Sequence, residues 1–234
     1  MPSNLPLDNT KAAVAPWWHT VLVLLVLAFG SVASARQHGL ANLNLPGMSV
    51  RLSGYFTVLA LEWLLALFIW VALRRRGLSF ATLVAGRWHS LRAFFKDLGF
   101  ALAFLLVGIP LTMGLTRLIG ASSAPVSILP RTPLELAAWI MMSATAGFCE
   151  ELIFRGYLTQ QFAAFTNSKT LAIAIQGLAF GLAHGYQGRI MIVLTIYGWL
   201  FGVFASWRKS LRPGMMAHGI QDTLGGLLAF LFIK

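Results

Sequence analysis

The chain has 234 residues, of which 58% are hydrophobic and 11% are charged, and its formal net charge is +11. A soluble domain carries about 25% charged residues, so this composition excludes a soluble globular protein and predicts an integral membrane protein. In a soluble protein the basic excess would suggest nucleic-acid binding. Here the basic residues separate apolar spans, so membrane topology and anionic headgroups explain them better. We therefore expect the lipid bilayer, and no nucleic acid, as a partner.

The N-terminal segment is polar and contains three prolines. Residues 1–16 are predicted to form a short disordered leader. Residues 17–35 are predicted to form the first membrane span, with Trp17 and Trp18 as interfacial anchors. An alternative stays open, because an apolar run followed by Ala-Ser-Ala at 33–35 also resembles a signal peptide with its cleavage site.

Two further spans are predicted at residues 52–73 and 94–119. The first of them contains Glu62, which we interpret as a carboxyl group that is neutralised or hydrogen-bonded inside the bundle. Between them lies a basic connector, residues 74–96, whose apolar side chains predict an amphipathic helix at the membrane interface. Residues 1–132 thus form an N-terminal part with a leader, three spans and this connector.

The remaining residues, 133–234, are predicted to form four more membrane helices that carry the chemistry. These helices are placed at residues 133–165, 171–184, 189–207 and 213–233. The fold class is therefore an all-α, polytopic membrane bundle of about seven transmembrane helices. Of the 18 Lys and Arg residues, eleven would lie inside, six outside and one, Arg155, in the membrane, if the N-terminus is inside. The positive-inside rule then predicts a cytoplasmic N-terminus.

The fourth predicted helix contains Glu150, Glu151 and Arg155 within a strongly apolar run. A charge near the bilayer centre costs about 2.5–3.5 kcal/mol on insertion scales, so such residues are usually functional or paired. Glu151 and Arg155 are four residues apart and can form an ion pair on one helix face. Glu150 is rotated about 100° away and has no local cation. We interpret Glu151 as structural and Glu150 as free for chemistry.

Two other polar motifs lie in apolar helices. Phe180 and His184 are four residues apart in the fifth helix, and His218 and Asp222 have the same spacing in the seventh. Three glycines spaced by four residues, ending at Gly185, predict close packing of the fifth helix against the fourth. Either histidine alone is equally well explained by an interhelical hydrogen bond. Together, however, these groups predict a polar cavity between three helices.

Such a cavity is suited to hydrolysis by an activated water molecule. A carboxylate in a low-dielectric site can act as a general base toward water, while an imidazole orients the water or donates a proton. Further donors can stabilise an oxyanion. The same groups could bind zinc through Glu150, His184 and His218, but no HExxH motif occurs. We expect no cofactor and leave zinc open as the alternative.

The three motifs, in this order and spacing, resemble those of the CPBP family of CAAX prenyl endopeptidases and bacteriocin-processing or immunity proteins. They are Glu150-Glu151-x-x-x-Arg155, Phe180-x-x-x-His184 and His218-x-x-x-Asp222. The resemblance covers roughly residues 133–233 and implies a glutamate-dependent intramembrane endopeptidase. Its location would be a bacterial inner (plasma) membrane.

The resemblance also implies roles for individual residues. Glu150 and His184 would activate the water, and His218 and Asp222 would line the oxyanion side. Glu151, Arg155 and Phe180 would support the site. Where this chain has Asp222, the family often has asparagine, and an ionised aspartate cannot donate to an oxyanion.

The substrate implied is a membrane-anchored or lipidated protein, or a peptide precursor, that is cleaved near its end. Two other functions stay open. The first is a non-catalytic immunity or scaffold protein of the same fold. The second is a proton-coupled transporter, because buried carboxyl and imidazole groups can relay protons. The sequence has no visible inverted repeat, which argues against transport.

Overall fold

A computed structural model describes residues 13–40, 50–121, 128–186 and 188–232. Throughout these ranges the ordered elements are helices, and no strand occurs among them. Five helical segments are long and apolar enough to cross a membrane: residues 17–36, 50–75, 91–118, 133–166 and 189–208. The predicted fold class, a helical membrane bundle, is confirmed.

The N-terminal half contains three long helices and one short helix. They are α1 (Trp17–Leu40), α2 (Val50–Arg75), α3 (Phe80–Val84) and α4 (Leu91–Leu118).

The C-terminal half contains the remaining helices, including one segment of π-helix. They are α5 (Pro133–Glu150), the π-helix (Glu151–Leu158), α6 (Thr159–Thr166), α7 (Lys169–Ala183), α8 (Arg189–Arg208) and α9 (Arg212–Phe232).

All seven predicted spans coincide with helices, but the described residues contain five candidate spans. The fifth predicted span, α7, has 15 residues and is therefore about 22 Å long, which is less than the roughly 30 Å of a hydrocarbon core. The seventh, α9, has 21 residues but includes Arg212, His218 and Asp222. These polar residues lower its apolar character.

The end of the predicted leader is ordered, so this part of the prediction is wrong. The backbone N–H groups of Val14 and Ala15 donate hydrogen bonds to Oε1 of Gln161, at 2.8 and 3.1 Å, and both residues are buried. The buried amide of Gln161, in α6, satisfies these backbone groups and so holds the chain against the bundle. Residues 1–12 lie outside the described part of the chain.

The basic connector contains a much shorter helix than predicted. Helix α3 has five residues, and its Leu83 is completely buried in the bundle instead of lying at the interface. Leu83 packs beside Gly156 of the π-helix, where an added Cβ would lie in ordinary contact with Cβ of Leu83, at 3.5 Å. Trp88 follows α3 in a loop and donates a hydrogen bond to Asp97 at 2.9 Å.

Glycine contacts bring α9 directly against α5. A Cβ added to Gly147 would lie 2.7 Å from both the backbone nitrogen of Gly219 and the carbonyl oxygen of Met215. Real Cβ atoms do not approach that closely, so the two backbones pack without an intervening side chain. This contact places His218, the neighbour of Gly219, beside the C-terminal end of α5.

The glycine stripe of α7 packs against α8, so the prediction that this stripe contacts the fourth helix is wrong, although α7 does contact the fourth predicted span through α6 and the π-helix. A Cβ added to Gly181 would lie 2.9 Å from the carbonyl oxygen of Met191, and one added to Gly198 would lie 3.0 Å from Cα of Gly177. Helix α8 has a glycine, Gly198, opposite the stripe, and the absence of side chains on both helices lets the two backbones approach. Gly185 faces α1 instead, where an added Cβ would lie 2.5 Å from the carbonyl oxygen of Ser31.

Candidate active site

The site begins where α5 changes from α-helical to π-helical winding. Glu150 is the last residue of α5, and the eight residues that follow form the π-helix and are all buried. The N–H of Thr159 bonds to the carbonyl oxygen of Phe154, five residues earlier. Such π-helical segments are rare and frequently occur at functional sites. Sequence spacing had indicated a continuous α-helix here.

The predicted ion pair between Glu151 and Arg155 is present. Nη1 of Arg155 lies 3.1 Å from Oε1 of Glu151, and neither side chain is exposed. The guanidinium also lies over the aromatic rings of Phe180 and Phe201, at 4.2 and 5.0 Å from their centroids. Phe180 therefore supports the first motif directly, by packing on its arginine.

His218 lies between three carboxyl groups. Its Nδ1 is 3.1 Å from Oε1 of Glu151, and its Nε2 is 3.7 Å from Oε2 of Glu150 and 3.5 Å from Oδ2 of Asp222. The imidazole thus connects the buried ion pair with the more accessible Glu150 and Asp222, whose side chains are 19% and 32% exposed. The first and third motifs are therefore in direct contact.

His184 lies at the end of α7, where its orientation is set by its own helix. Its Nδ1 is 2.7 Å from the carbonyl oxygen of Phe180. A carbonyl oxygen only accepts, so Nδ1 carries the proton, and Nε2 of a neutral ring remains an acceptor. His184 faces the same cavity as Glu150. An acceptor nitrogen in that position is suited to orient a water molecule.

One cavity of about 490 Å³ connects the three motifs. Its walls come from α1, α2, α5, α7, α8, α9 and the π-helix, and they are mainly apolar. The predicted residues Glu150, Phe180, His184, His218 and Asp222 line it, whereas Glu151 and Arg155 lie behind its wall.

Sequence reasoning missed three polar residues of this cavity. The phenol of Tyr197 donates a hydrogen bond to Gln221, and Tyr186 lies close to Asp222. Nothing in the sequence marks these tyrosines, because one lies in an apolar helix and the other in a loop. The third is Glu62, which was noticed as an intramembrane carboxyl group but not connected with the motifs.

Glu150, His184 and His218 are the side chains that could bind zinc. Among the residues described here, no group of three or more His, Cys, Asp or Glu side chains is arranged to hold a metal ion. Glu150, His184 and His218 line one cavity, but they do not form a ready coordination shell.

The cavity thus brings carboxyl and imidazole groups together in a bundle whose helices are apolar enough to cross a membrane. The family model described as "Type II CAAX prenyl endopeptidase Rce1-like" matches residues 132–224. This part of the chain is therefore similar to that family, and the resemblance predicted from the three motifs is confirmed. At a coarse level the match supports a protease, and the apolar helices support an integral membrane protein. Neither a curated protein nor a solved structure matches the chain.

Proposed function

We propose that this protein is an intramembrane endopeptidase that hydrolyses a peptide bond near the end of a membrane-anchored or lipidated protein or peptide precursor. The observation that carries the proposal is the convergence of Glu150, His184, His218 and Asp222 on one cavity inside a membrane bundle. The match to an endopeptidase family supports the same reaction.

In the proposed mechanism Glu150 is the general base. It takes a proton from a water molecule that Nε2 of His184 orients, and the resulting hydroxide attacks the carbonyl carbon of the scissile bond. His218 and Asp222 stabilise the oxyanion of the tetrahedral intermediate. Glu150 then returns the proton to the leaving amine, so its carboxylate is regenerated at the end of the cycle.

The surroundings of the cavity support a substrate with an apolar anchor. Val26, Leu61 and Leu65 line the cavity and also border an apolar groove between α1 and α2. A lipid or an apolar peptide segment could occupy this groove while the scissile bond reaches Glu150. We propose a lipid-anchored or membrane-anchored polypeptide as the substrate class on this basis.

We further propose a bacterial inner-membrane location with a cytoplasmic N-terminus. One end of the bundle collects basic residues: Arg208 and Arg212 approach Asp97 at 3.7 and 3.1 Å, and Arg212 also donates to the carbonyl oxygen of Arg87. The positive-inside rule assigns such an end to the cytoplasm.

The direct test is a comparison of the termini of membrane proteins in cells that produce the wild type or a Glu150→Ala variant. We expect a small set of termini that appear only with the wild type. His89→Ala is a suitable control, because this exposed histidine lies in the connector, away from the cavity. Identical termini in wild-type and Glu150→Ala cells, with equal protein levels, would favour the non-catalytic scaffold.

Asp222→Asn is expected to retain substantial activity. Asp222 lies 3.5 Å from His218 and can help hold an oxyanion only as a donor or through this imidazole. Asparagine supplies a permanent donor of nearly the same shape. Asp222→Ala should be slower, since loss of one oxyanion donor costs about 2.7–4 kcal/mol. Cleavage rates of the folded variants measure this. An asparagine variant as inactive as the alanine variant would mean that the negative charge is required.

Catalysis is expected to proceed without a tightly bound metal ion. The proposed water-activating group is a carboxylate, which needs no metal ion to accept a proton. The measurement is metal analysis of active protein, followed by chelation and return of zinc. Stoichiometric zinc whose removal abolishes activity and whose return restores it would instead make Glu150, His184 and His218 metal ligands.

A further inference from the structure

Glu62 is a carboxyl group in the middle of a membrane helix. It lies about 18 Å from the start of α2 and about 20 Å from its end, counted along the helix axis. Only 6% of the residue is exposed, and it lines the cavity that contains Glu150. Its close neighbours on α2, Leu61 and Leu65, are apolar. A carboxyl group in this position is costly unless it is paired.

Glu62 shares the cavity with Glu150, and the two carboxyl groups interact with each other. No N–H or hydroxyl group of the described residues donates to either oxygen of Glu62 or to Oε2 of Glu150. Two ionised carboxylates would repel each other here, and a hydrogen bond between them requires that one carries a proton. The geometry therefore indicates an O–H···O bond that the two side chains share.

We propose that Glu62 is a positioning residue of the active site, which donates this hydrogen bond to Glu150 and fixes the direction of its carboxylate. The inference rests on the proposed function. With one oxygen of Glu150 held by Glu62, the other is aimed at the water and at the substrate carbonyl. A leucine would fill the same space without burying a polar group, so packing alone does not account for a carboxyl group at this position.

Two substitutions separate hydrogen bonding from packing. Glu62→Gln keeps the shape and supplies an amide N–H donor, whereas Glu62→Leu removes the donor. We expect kcat of the glutamine variant to stay within about tenfold of wild type, the size of one ordinary hydrogen bond. We expect kcat of the leucine variant to fall about 10²-fold with KM unchanged, because a misaligned catalytic group costs that much.

The matched control is Ile69→Ala. Ile69 is fully buried two turns further along α2, but it does not line the cavity. This variant should lower the thermal stability of the bundle and leave kcat unchanged. A folded Glu62→Leu variant with wild-type kcat would overturn the proposal, as would a glutamine variant as slow as the leucine variant.

Infrared spectroscopy tests the pair without any turnover. Wild-type protein should show a C=O band of a hydrogen-bonded, protonated carboxyl group, which is absent from Glu62→Leu and shifted toward a free carboxyl group in Glu150→Ala. If this band is missing from wild type while cleavage still requires Glu150, the inference about Glu62 fails and the proposed function stands. If the band is present but Glu150 is dispensable for cleavage, the proposed role of Glu150 as the general base fails, and with it the positioning role of Glu62.

Discussion

Replacement of Glu150 or His184 by alanine is expected to abolish cleavage while the helical bundle stays folded. Both side chains line the cavity and are proposed to act on the water molecule, Glu150 by accepting its proton and His184 by orienting it. Loss of a general base lowers rates by roughly 10²- to 10⁴-fold. The measurement is the cleavage rate of purified variants on a peptide identified from the comparison of termini.

The control for this experiment is His89→Ala, which removes an imidazole outside the cavity and should cleave at the wild-type rate. Thermal unfolding curves establish that each variant is folded. Wild-type turnover in either Glu150→Ala or His184→Ala would contradict the proposed mechanism. Loss of activity together with loss of folding would instead assign the residue a structural role.

The second large effect is expected on stability. Glu151→Ala leaves the guanidinium of Arg155 without its ion-pair partner, and Arg155→Ala leaves the carboxylate of Glu151 without its cation. Both side chains are completely buried, and breaking a buried pair by removing one partner costs about 3–5 kcal/mol. Activity should fall as well, because Glu151 is also the partner of His218, at 3.1 Å. Thermal unfolding in detergent measures the change.

A double variant, Glu151→Ala with Arg155→Ala, serves as the control for this prediction. It removes both charges together, so it should be less destabilised than the sum of the single variants. Normal thermal stability in both single variants would show that the ion pair contributes nothing to folding. Additive effects in the double variant would mean that the two residues act independently.

The ion pair is a feature that the sequence predicts well, because it is local. Glu151 and Arg155 are four residues apart, and this spacing puts them on one face of the helix. The apolar residues around them in the sequence indicate that the two charges form an ion pair. The structure contains the pair even though the backbone between them is π-helical.

Helix partners could not be predicted in the same way. The glycine stripe of α7 indicates close packing, but the sequence does not say which helix it contacts. That choice depends on which other helix offers a complementary small residue, and α8 does so with Gly198.

The sequence by itself determined the class of the protein and the polar groups that we propose carry its chemistry. Apolar spans, an intramembrane carboxylate and two histidine motifs can be recognised from composition and spacing. A charge in a bilayer is costly, so such residues are usually functional or paired. Only the tertiary structure decided that His218 bridges Glu150, Glu151 and Asp222, and that Glu62 of α2 lines the same cavity as Glu150. Residues so far apart in the chain meet only through the packing of helix faces, and that packing is set by close backbone contacts such as the one between Gly147 and Gly219.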